Sequence, residues 1–162
     1  HRSVPQGRRQ ARGVLMEYKI VRPASFVIAL TRDVIKKYAK GRAANLTVDL
    51  RGDVDDYQRY PFVSVQPIGT ELVDGPTPAA TRIRVRWVFE DIQADDCEDA
   101  AVEFMQGLLD FRRAGERTTE GGLAALDITQ PPVLIYDAQT TADINEFNMI
   151  AEIIAVRRST DG

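Results

Sequence analysis

The sequence has few of the residues on which most catalytic and metal sites depend. Its 162 residues include one cysteine, Cys97, and one histidine, His1. A single cysteine excludes an internal disulfide, and with one histidine it cannot complete a zinc ligand set. A Ser/His/Asp or Cys/His catalytic set is excluded from the body of the chain, because its only histidine stands at the first position. We therefore expect no catalytic residue and no bound metal, and we predict that the protein is not an enzyme.

Long apolar runs and nucleotide-binding motifs are also missing. No stretch approaches the roughly 20 consecutive apolar residues that a membrane-spanning helix needs. No Walker loop or dinucleotide fingerprint occurs, and the glycine pair at 121–122 stands alone. The basic start of the chain is not followed by the apolar segment of a signal peptide. We expect no cofactor and no membrane partner, and a reducing cytoplasm is the predicted compartment.

The charges are unevenly distributed along the chain. Residues 1–15, HRSVPQGRRQARGVL, contain four arginines and no acid, whereas the whole sequence has a net charge of −3, which leaves −7 for residues 16–162. We predict a basic, flexible leader over 1–15 and a single α+β domain over 16–162. An arm that becomes ordered on an acidic or phosphate-bearing partner remains the alternative for the leader.

Two segments have the apolar periodicity of helices. The first covers about residues 24–40 and is expected to end at Gly41. The second is expected to be capped by Asp95 and to end at Gly115, where a glycine suits the left-handed conformation that closes many helices. Cys97 falls on its apolar stripe, so we expect this thiol in the core.

The segment TRIRVRWVFEDI, residues 81–92, is the clearest strand. Arginines at 82, 84 and 86 alternate with Ile83, Val85 and Trp87, so that a strand would place an apolar face against the core and three guanidinium groups on the other side. Weaker strand signals cover 46–50, 61–69, 126–140 (one or two short strands broken by two prolines) and 147–159. Polar loops are predicted at 51–60, 70–80 and 115–122.

The order of these segments predicts the fold class. Helix, strands, helix and strands in succession favour an α+β fold, in which a mixed, mostly antiparallel sheet packs against two helices. The segment 147–159 is almost continuously apolar, as a central strand would be. We predict that it pairs with the arginine strand.

The arginine row has three possible uses. A phosphate track is not favoured, because the body is acidic and Trp87 belongs to the opposite face. Pairing with a cross-strand acid such as Glu152 is the second. Contact with acids of a neighbouring subunit is the one that we favour, since arginine is enriched at interfaces. The interface candidates are Arg82, Arg84, Arg86, Glu152, Arg157 and Arg158.

Four sequence segments in this order resemble one family of virion proteins. YPFVSVQPIG, the arginine strand, DCEDAAVEFMQGLLDFRR and INEFNMIAEIIAVRRS are similar to the corresponding segments of tail-terminator and neck proteins of long-tailed bacteriophages, over about residues 57–160. The resemblance implies an α+β subunit with the lambda-type tail-terminator fold. It also implies that six copies form a ring, which caps the tail tube and joins it to the head connector.

The resemblance further implies partners and a location. The partners would be other copies of the chain, the tail-tube protein and the head–tail connector protein, while DNA passes through the lumen without specific binding. The protein would belong to the tail or neck of the virion and be assembled in the host cytoplasm, with the predicted loops 51–60, 70–80 and 115–122 contacting the tube or the connector. A tail-tube or tail-completion subunit of similar fold remains an alternative, as does a small enzyme or binding module.

Overall fold

The structure, a computed structural model, describes residues 18–50, 60–73, 80–135 and 144–158. The predicted leader and almost all of the predicted 51–60 loop lie outside these ranges. The described helices are α1 (Pro23–Lys37) and α2 (Ala94–Ala114). The described strands are β1 (Tyr18–Lys19), β2 (Thr47–Leu50), β3 (Phe62–Leu72), β4 (Thr81–Asp91), β5 (Arg117–Thr118), β6 (Gly121–Ile135) and β7 (Asn145–Arg158).

The described strands form one mixed sheet in the order β2-β3-β4-β7-β6-β5, and β1 pairs with the C-terminal end of β7. The β2–β3 pair is parallel and the other described pairs are antiparallel. Buried side chains of both helices join one face of the sheet in a single core. The predicted α+β class, with a mostly antiparallel sheet against two helices, is confirmed.

The arginine strand and the last strand are neighbours at the centre of the sheet. β7 lies between β4 and β6, as its continuous apolar character predicts. Ile83, Val85 and Trp87 of β4 are fully buried on the helix side. The three arginines between them therefore lie on the other side, which we call the outer face. In the antiparallel register of β4 and β7, Arg84 is directly opposite Glu152.

Trp87 occupies the middle of the core and ties the sheet to α1. Its ring centroid is 5.7 Å from that of Phe104 on α2. Its indole N–H donates a hydrogen bond to Thr31 Oγ1 at 3.0 Å, and the Thr31 hydroxyl donates in turn to the Val27 carbonyl at 2.6 Å. Each buried polar hydrogen therefore has an acceptor, which burial in an apolar core requires.

The end of α1 and the start of α2 differ in detail from the prediction. α1 ends at Lys37 instead of residue 40, and Gly41 (φ 63°) begins a short 3-10 helix over Gly41–Asn45. α2 begins at Ala94, with Gln93 before it and no side-chain cap, so the predicted cap by Asp95 is wrong. Asp95 lies instead in the first turn, where a carboxylate still complements the helix dipole. Gly115 (φ 69°) ends α2 as predicted, and Cys97 is fully buried.

Two strands are longer than the sequence pattern indicates. β3 continues beyond residue 69 to Leu72, through a register shift against β4 between Pro67 and Gly69. β6 is a single 15-residue strand that passes through both prolines, with irregular pairing to β7 around them. Prolines are tolerated in these strands because a bulge, or an edge without a ladder partner, does not need their missing N–H groups.

The predicted loop at 115–122 is a tight hairpin. Arg117 and Thr118 of β5 pair with the two glycines that begin β6. The Thr118 hydroxyl donates to the Gly121 carbonyl at 2.9 Å and is buried. This segment is therefore part of the sheet, and only its tip is left for contacts elsewhere.

Candidate subunit interface

The outer face brings the predicted arginine row together with carboxylates from three other strands. Across β3, β4, β7 and β6, the register aligns Arg82 with Glu71, and Arg84 with Glu152 and then Asp127. Further along the same face, Glu90 of β4 is directly opposite Glu146 of β7. The carboxylates that flank the row are Glu71, Glu90, Asp127, Glu146 and Glu152. The outer face is therefore mixed in charge and is not a continuous basic surface.

Arg82 is paired within the subunit. Its guanidinium group donates a hydrogen bond to the Glu71 carboxylate across the β3–β4 pair, and the two side chains are 43% and 60% exposed. An exposed pair of this kind contributes at most about 1 kcal/mol to stability. Glu71 fell in a predicted loop, so its role was missed. The alternation of polar and apolar residues in the preceding strand continues through Glu71 and Leu72. This alternation is the signal that could have predicted the longer strand.

Arg84 is the most exposed of the three arginines in the row. No described residue forms an ion pair or a hydrogen bond with its side chain, even though Glu152 is its cross-strand neighbour. Arg84 and Glu152 line a cavity of about 250 Å³ together with Gly69, Thr70, Glu71 and Arg82. We call this cavity the Arg84 notch.

Arg86 has a third environment. It lies half-buried in a polar cavity of about 310 Å³, which also contains Glu90 and Glu146. Its Nε atom is buried without a hydrogen-bond partner among the described residues. Burial raises the pKa of the Glu90 carboxyl above its ordinary value of 4.5, and the negative charge of Glu146 raises it further. Arg86 is therefore part of the local packing, in contrast to Arg84.

The two arginines at the end of β7 are not part of this row. Arg157 is 12% exposed, and its Nη1 lies 3.8 Å from Oε2 of Glu120 in the hairpin that joins β5 to β6. The other carboxylate oxygen of Glu120 accepts a hydrogen bond from Arg22. Arg158 pairs with Tyr18 through the strand register, and its side chain lies outside the described part of the structure. The structure thus places Arg157 in a contact within the subunit.

The edges of the sheet are less suited to association than its outer face. Beyond the short pairing with β5, one edge of β6 has no strand partner among the described residues. Pro131–Pro132 and three register shifts interrupt this strand, and Arg112 donates to the Ala124 carbonyl at 2.8 Å. The part of β3 that extends beyond β2 contains Pro67 and a register shift. Prolines and bulges are common means of preventing edge-to-edge pairing.

The described residues contain little that is suited to catalysis. No group of three or more histidine, cysteine or carboxylate side chains among them is arranged to hold a metal ion. Burial raises the pKa of the Cys97 thiol to about 12, and this residue is fully buried. A protonated thiol without solvent access is a poor nucleophile. Neither described helix is long and apolar enough to cross a membrane.

The fold defines an α+β protein in which the two described helices cover the same face of the sheet. The chain matches no protein-family model and no curated protein sequence. The charged outer face is the feature of this fold that bears most directly on function.

Proposed function

We propose that this protein is a structural subunit of a long-tailed bacteriophage, a tail terminator or neck protein that acts as a ring. The ring would cap the tail tube and contact the head–tail connector, in a virion assembled in the host cytoplasm. The resemblance of residues 57–160 to that family supports the proposal. The α+β arrangement is also of the kind that the resemblance implies.

The observation that carries the proposal is the exposed Arg84 on the face of the sheet that neither described helix covers. Its charge has no ion-pair partner among the described residues, and other carboxylates are exposed elsewhere on the same chain. Two copies can therefore satisfy each other's charges without any further protein. A contact between two different surfaces of identical copies closes into a ring when its rotation divides a full turn.

The distribution of charge also supports passage of DNA without specific binding. The three arginines of β4 are flanked by carboxylates on β3, β6 and β7, and residues 16–162 carry −7. A surface of this kind gives weak attraction to phosphate, whereas a DNA-binding surface concentrates positive charge. A ring whose lumen is lined by basic side chains would contradict this part of the proposal.

Assembly of the purified protein tests the proposal first. Mass photometry and electron microscopy should show a ring of fixed size, with six copies expected. Filaments of indefinite length would support the alternative of a tail-tube subunit, because a tube protein stacks without limit. A monomer at every concentration would overturn the ring and leave the small enzyme or binding module as the remaining class.

Completion of tails tests the role itself. Tails from particles that lack their terminator should be capped and become able to join heads when the purified ring is added. The matched control is a variant that folds but does not assemble. A ring that forms normally yet never associates with such tails would contradict the terminator role while leaving the oligomer intact.

A further inference from the structure

Gly69 keeps the Arg84 notch open. It is opposite Arg84 in the β3–β4 register, directly after the register shift that begins at Pro67. An added Cβ would lie 3.8 Å from the Cβ of Arg84, an ordinary contact distance, and Gly69 is not among the glycines with positive φ. Neither its backbone conformation nor crowding therefore requires glycine here. Glycine inside a strand weakens the strand, and it often marks a place where another chain approaches closely.

The chemistry of the notch suits a carboxylate. The Arg82 charge is already paired with Glu71, whereas the Arg84 guanidinium group is exposed and has no described partner. A guanidinium group presents a planar fork of donors, which matches the two oxygens of a carboxylate. A cavity of about 250 Å³ has room for an aspartate or glutamate side chain. Glu152 also lines the notch but forms no ion pair with Arg84, so the donors of Arg84 are available to an acidic side chain from outside the subunit.

The start of α2 presents such side chains on the opposite layer of the fold. Asp95, Glu98 and Asp99 are exposed there, and no described residue forms an ion pair or a side-chain hydrogen bond with them. Positions 95, 98, 99 and 102 share one helix face, and Val102 is 44% exposed. This acidic surface lies on the helix side of the sheet, whereas the Arg84 notch lies on the outer face.

Apolar side chains accompany the charges at both surfaces. Ile68, next to Gly69 on the strand that forms the notch, is 37% exposed, and Ile92, just before α2, is 55% exposed. Interfaces combine such apolar contacts with charged pairs that fix their orientation. The two surfaces are thus complementary in charge and similar in apolar content.

We propose that the Arg84 notch of one copy holds a carboxylate from the start of α2 of the next copy. This inference rests on the ring proposed above and identifies its contact. Because the two surfaces lie on opposite layers of one subunit, each copy can present its Arg84 notch to one neighbour and its acidic surface to the other. The contact is head-to-tail and so can close in a ring when its rotation divides a full turn, whereas a contact between two Arg84 notches would give only a symmetric dimer.

Charge reversal tests this contact. Arg84→Glu and the pair Glu98→Lys with Asp99→Lys should each weaken assembly by about tenfold or more, since each places like charges together. All three changes in one chain should restore assembly. A one-to-one mixture of the two singly reversed proteins should also restore it, because alternating copies in an even-numbered ring pair every site. Mass photometry over a dilution series measures these effects.

Three further variants separate assembly from folding. Arg113→Glu reverses an arginine at the C-terminal end of α2, whose side chain is 75% exposed and pairs with Asp110 at 3.1 Å. It should leave the ring unchanged and lower the melting temperature only slightly, because an exposed pair of this kind contributes at most about 1 kcal/mol. Gly69→Val fills the notch and should weaken the ring without lowering the melting temperature. Gly69→Ala is its smaller counterpart and should weaken the ring less.

The outcomes distinguish this inference from the proposed function. If the wild-type protein forms a ring that Arg84→Glu and the α2 reversals leave unchanged, the contact is wrong and the ring stands. If each reversal disrupts the ring but their combination does not restore it, the two surfaces do not meet and the inference is again overturned. If the wild-type protein is monomeric, the proposed function is overturned, and this contact with it.

Discussion

Glu90 and Glu146 lie directly opposite each other on β4 and β7, both on the outer face of the sheet. Like charges in this position oppose pairing of the strands. Glu90 is half-buried, so the charged form of its carboxyl also loses solvation. Burial and the negative charge of Glu146 both raise the pKa of the Glu90 carboxyl. The other charged or titratable groups nearby are Arg86, Asp91 and Tyr60.

The raised pKa of Glu90 predicts a pH dependence of stability. Between the ordinary value of 4.5 and the higher value in the folded state, the folded protein binds more protons than the unfolded chain. The free energy of unfolding should therefore fall as pH rises through this window. Glu90→Gln should be more stable than wild type at pH 7, and the difference should shrink below pH 4.5. Urea denaturation at a series of pH values measures this.

The control for this prediction is Asp33→Asn, which neutralises a carboxylate of α1 that takes no part in the proposed contact. It should leave the pH profile of unfolding nearly unchanged. If the free energy of unfolding of Glu90→Gln changes with pH as steeply as that of wild type, Glu90 does not contribute to the pH dependence.

The hydrogen bond between Trp87 and Thr31 predicts a loss of stability when the hydroxyl is removed. These residues are 56 positions apart and fully buried. Thr31→Val is close in shape but leaves the indole N–H without an acceptor, which should cost about 1–3 kcal/mol in the free energy of unfolding. Thr31→Ser keeps the hydroxyl and should retain the hydrogen bond, at the cost of a lost methyl group. If the valine variant is as stable as wild type by chemical denaturation, the bond contributes nothing net.

Gly121 is predicted to be the least replaceable of the described glycines. Its φ is 145°, and an added Cβ would lie 2.7 Å from the Val156 carbonyl oxygen. Gly121→Ala should destabilise the protein by about 2 kcal/mol or more, because backbone strain and a steric clash act together. Gly115→Ala is the matched control, since its φ of 69° is strained but nothing lies within 4 Å, and about 1 kcal/mol is expected. Equal losses in thermal melting would contradict this ranking.

Arg84 and Arg86 should separate assembly from folding. Arg86→Glu adds a third carboxylate to the cavity that holds Glu90 and Glu146. It should therefore lower the melting temperature of the subunit and reduce its free energy of unfolding by about 1–3 kcal/mol. Arg84→Glu also places a carboxylate opposite Glu152, but on an exposed side chain, so it should lower the free energy of unfolding of the monomer by less than about 1 kcal/mol. Melting curves recorded at a concentration where both variants are monomeric make the comparison. A stable Arg86→Glu subunit would show that its partly buried environment tolerates negative charge.

Regular local patterns predicted the central elements of this fold well. The alternation over 81–92 predicted β4 and the burial of Trp87, and the apolar run near the C-terminus predicted β7 as its central neighbour. These predictions depend on side-chain period and on apolar content, which are properties of the segment itself. The two helices were predicted for the same reason, although Gly41 and Asp95 were assigned the wrong positions.

Elements that depend on distant partners were predicted less well. β1 has two residues and exists through its pairing with the end of β7. β6 continues through Pro131–Pro132 because β7 supports it on one side, whereas the local sequence indicates a break. The hairpin at Gly121 depends on its close approach to Val156. In each case a contact far away in the sequence outweighs the local preference.

The sequence by itself determined that three arginines share one face of a strand, because successive side chains of a strand point to opposite sides. Only the tertiary structure decided that Arg82 pairs with Glu71, that Arg86 lies half-buried and that Arg84 is exposed beside a glycine. The three positions are equivalent in the local pattern. Their surroundings differ because the register of β4 with β3 and β7 sets which distant residues lie next to each arginine.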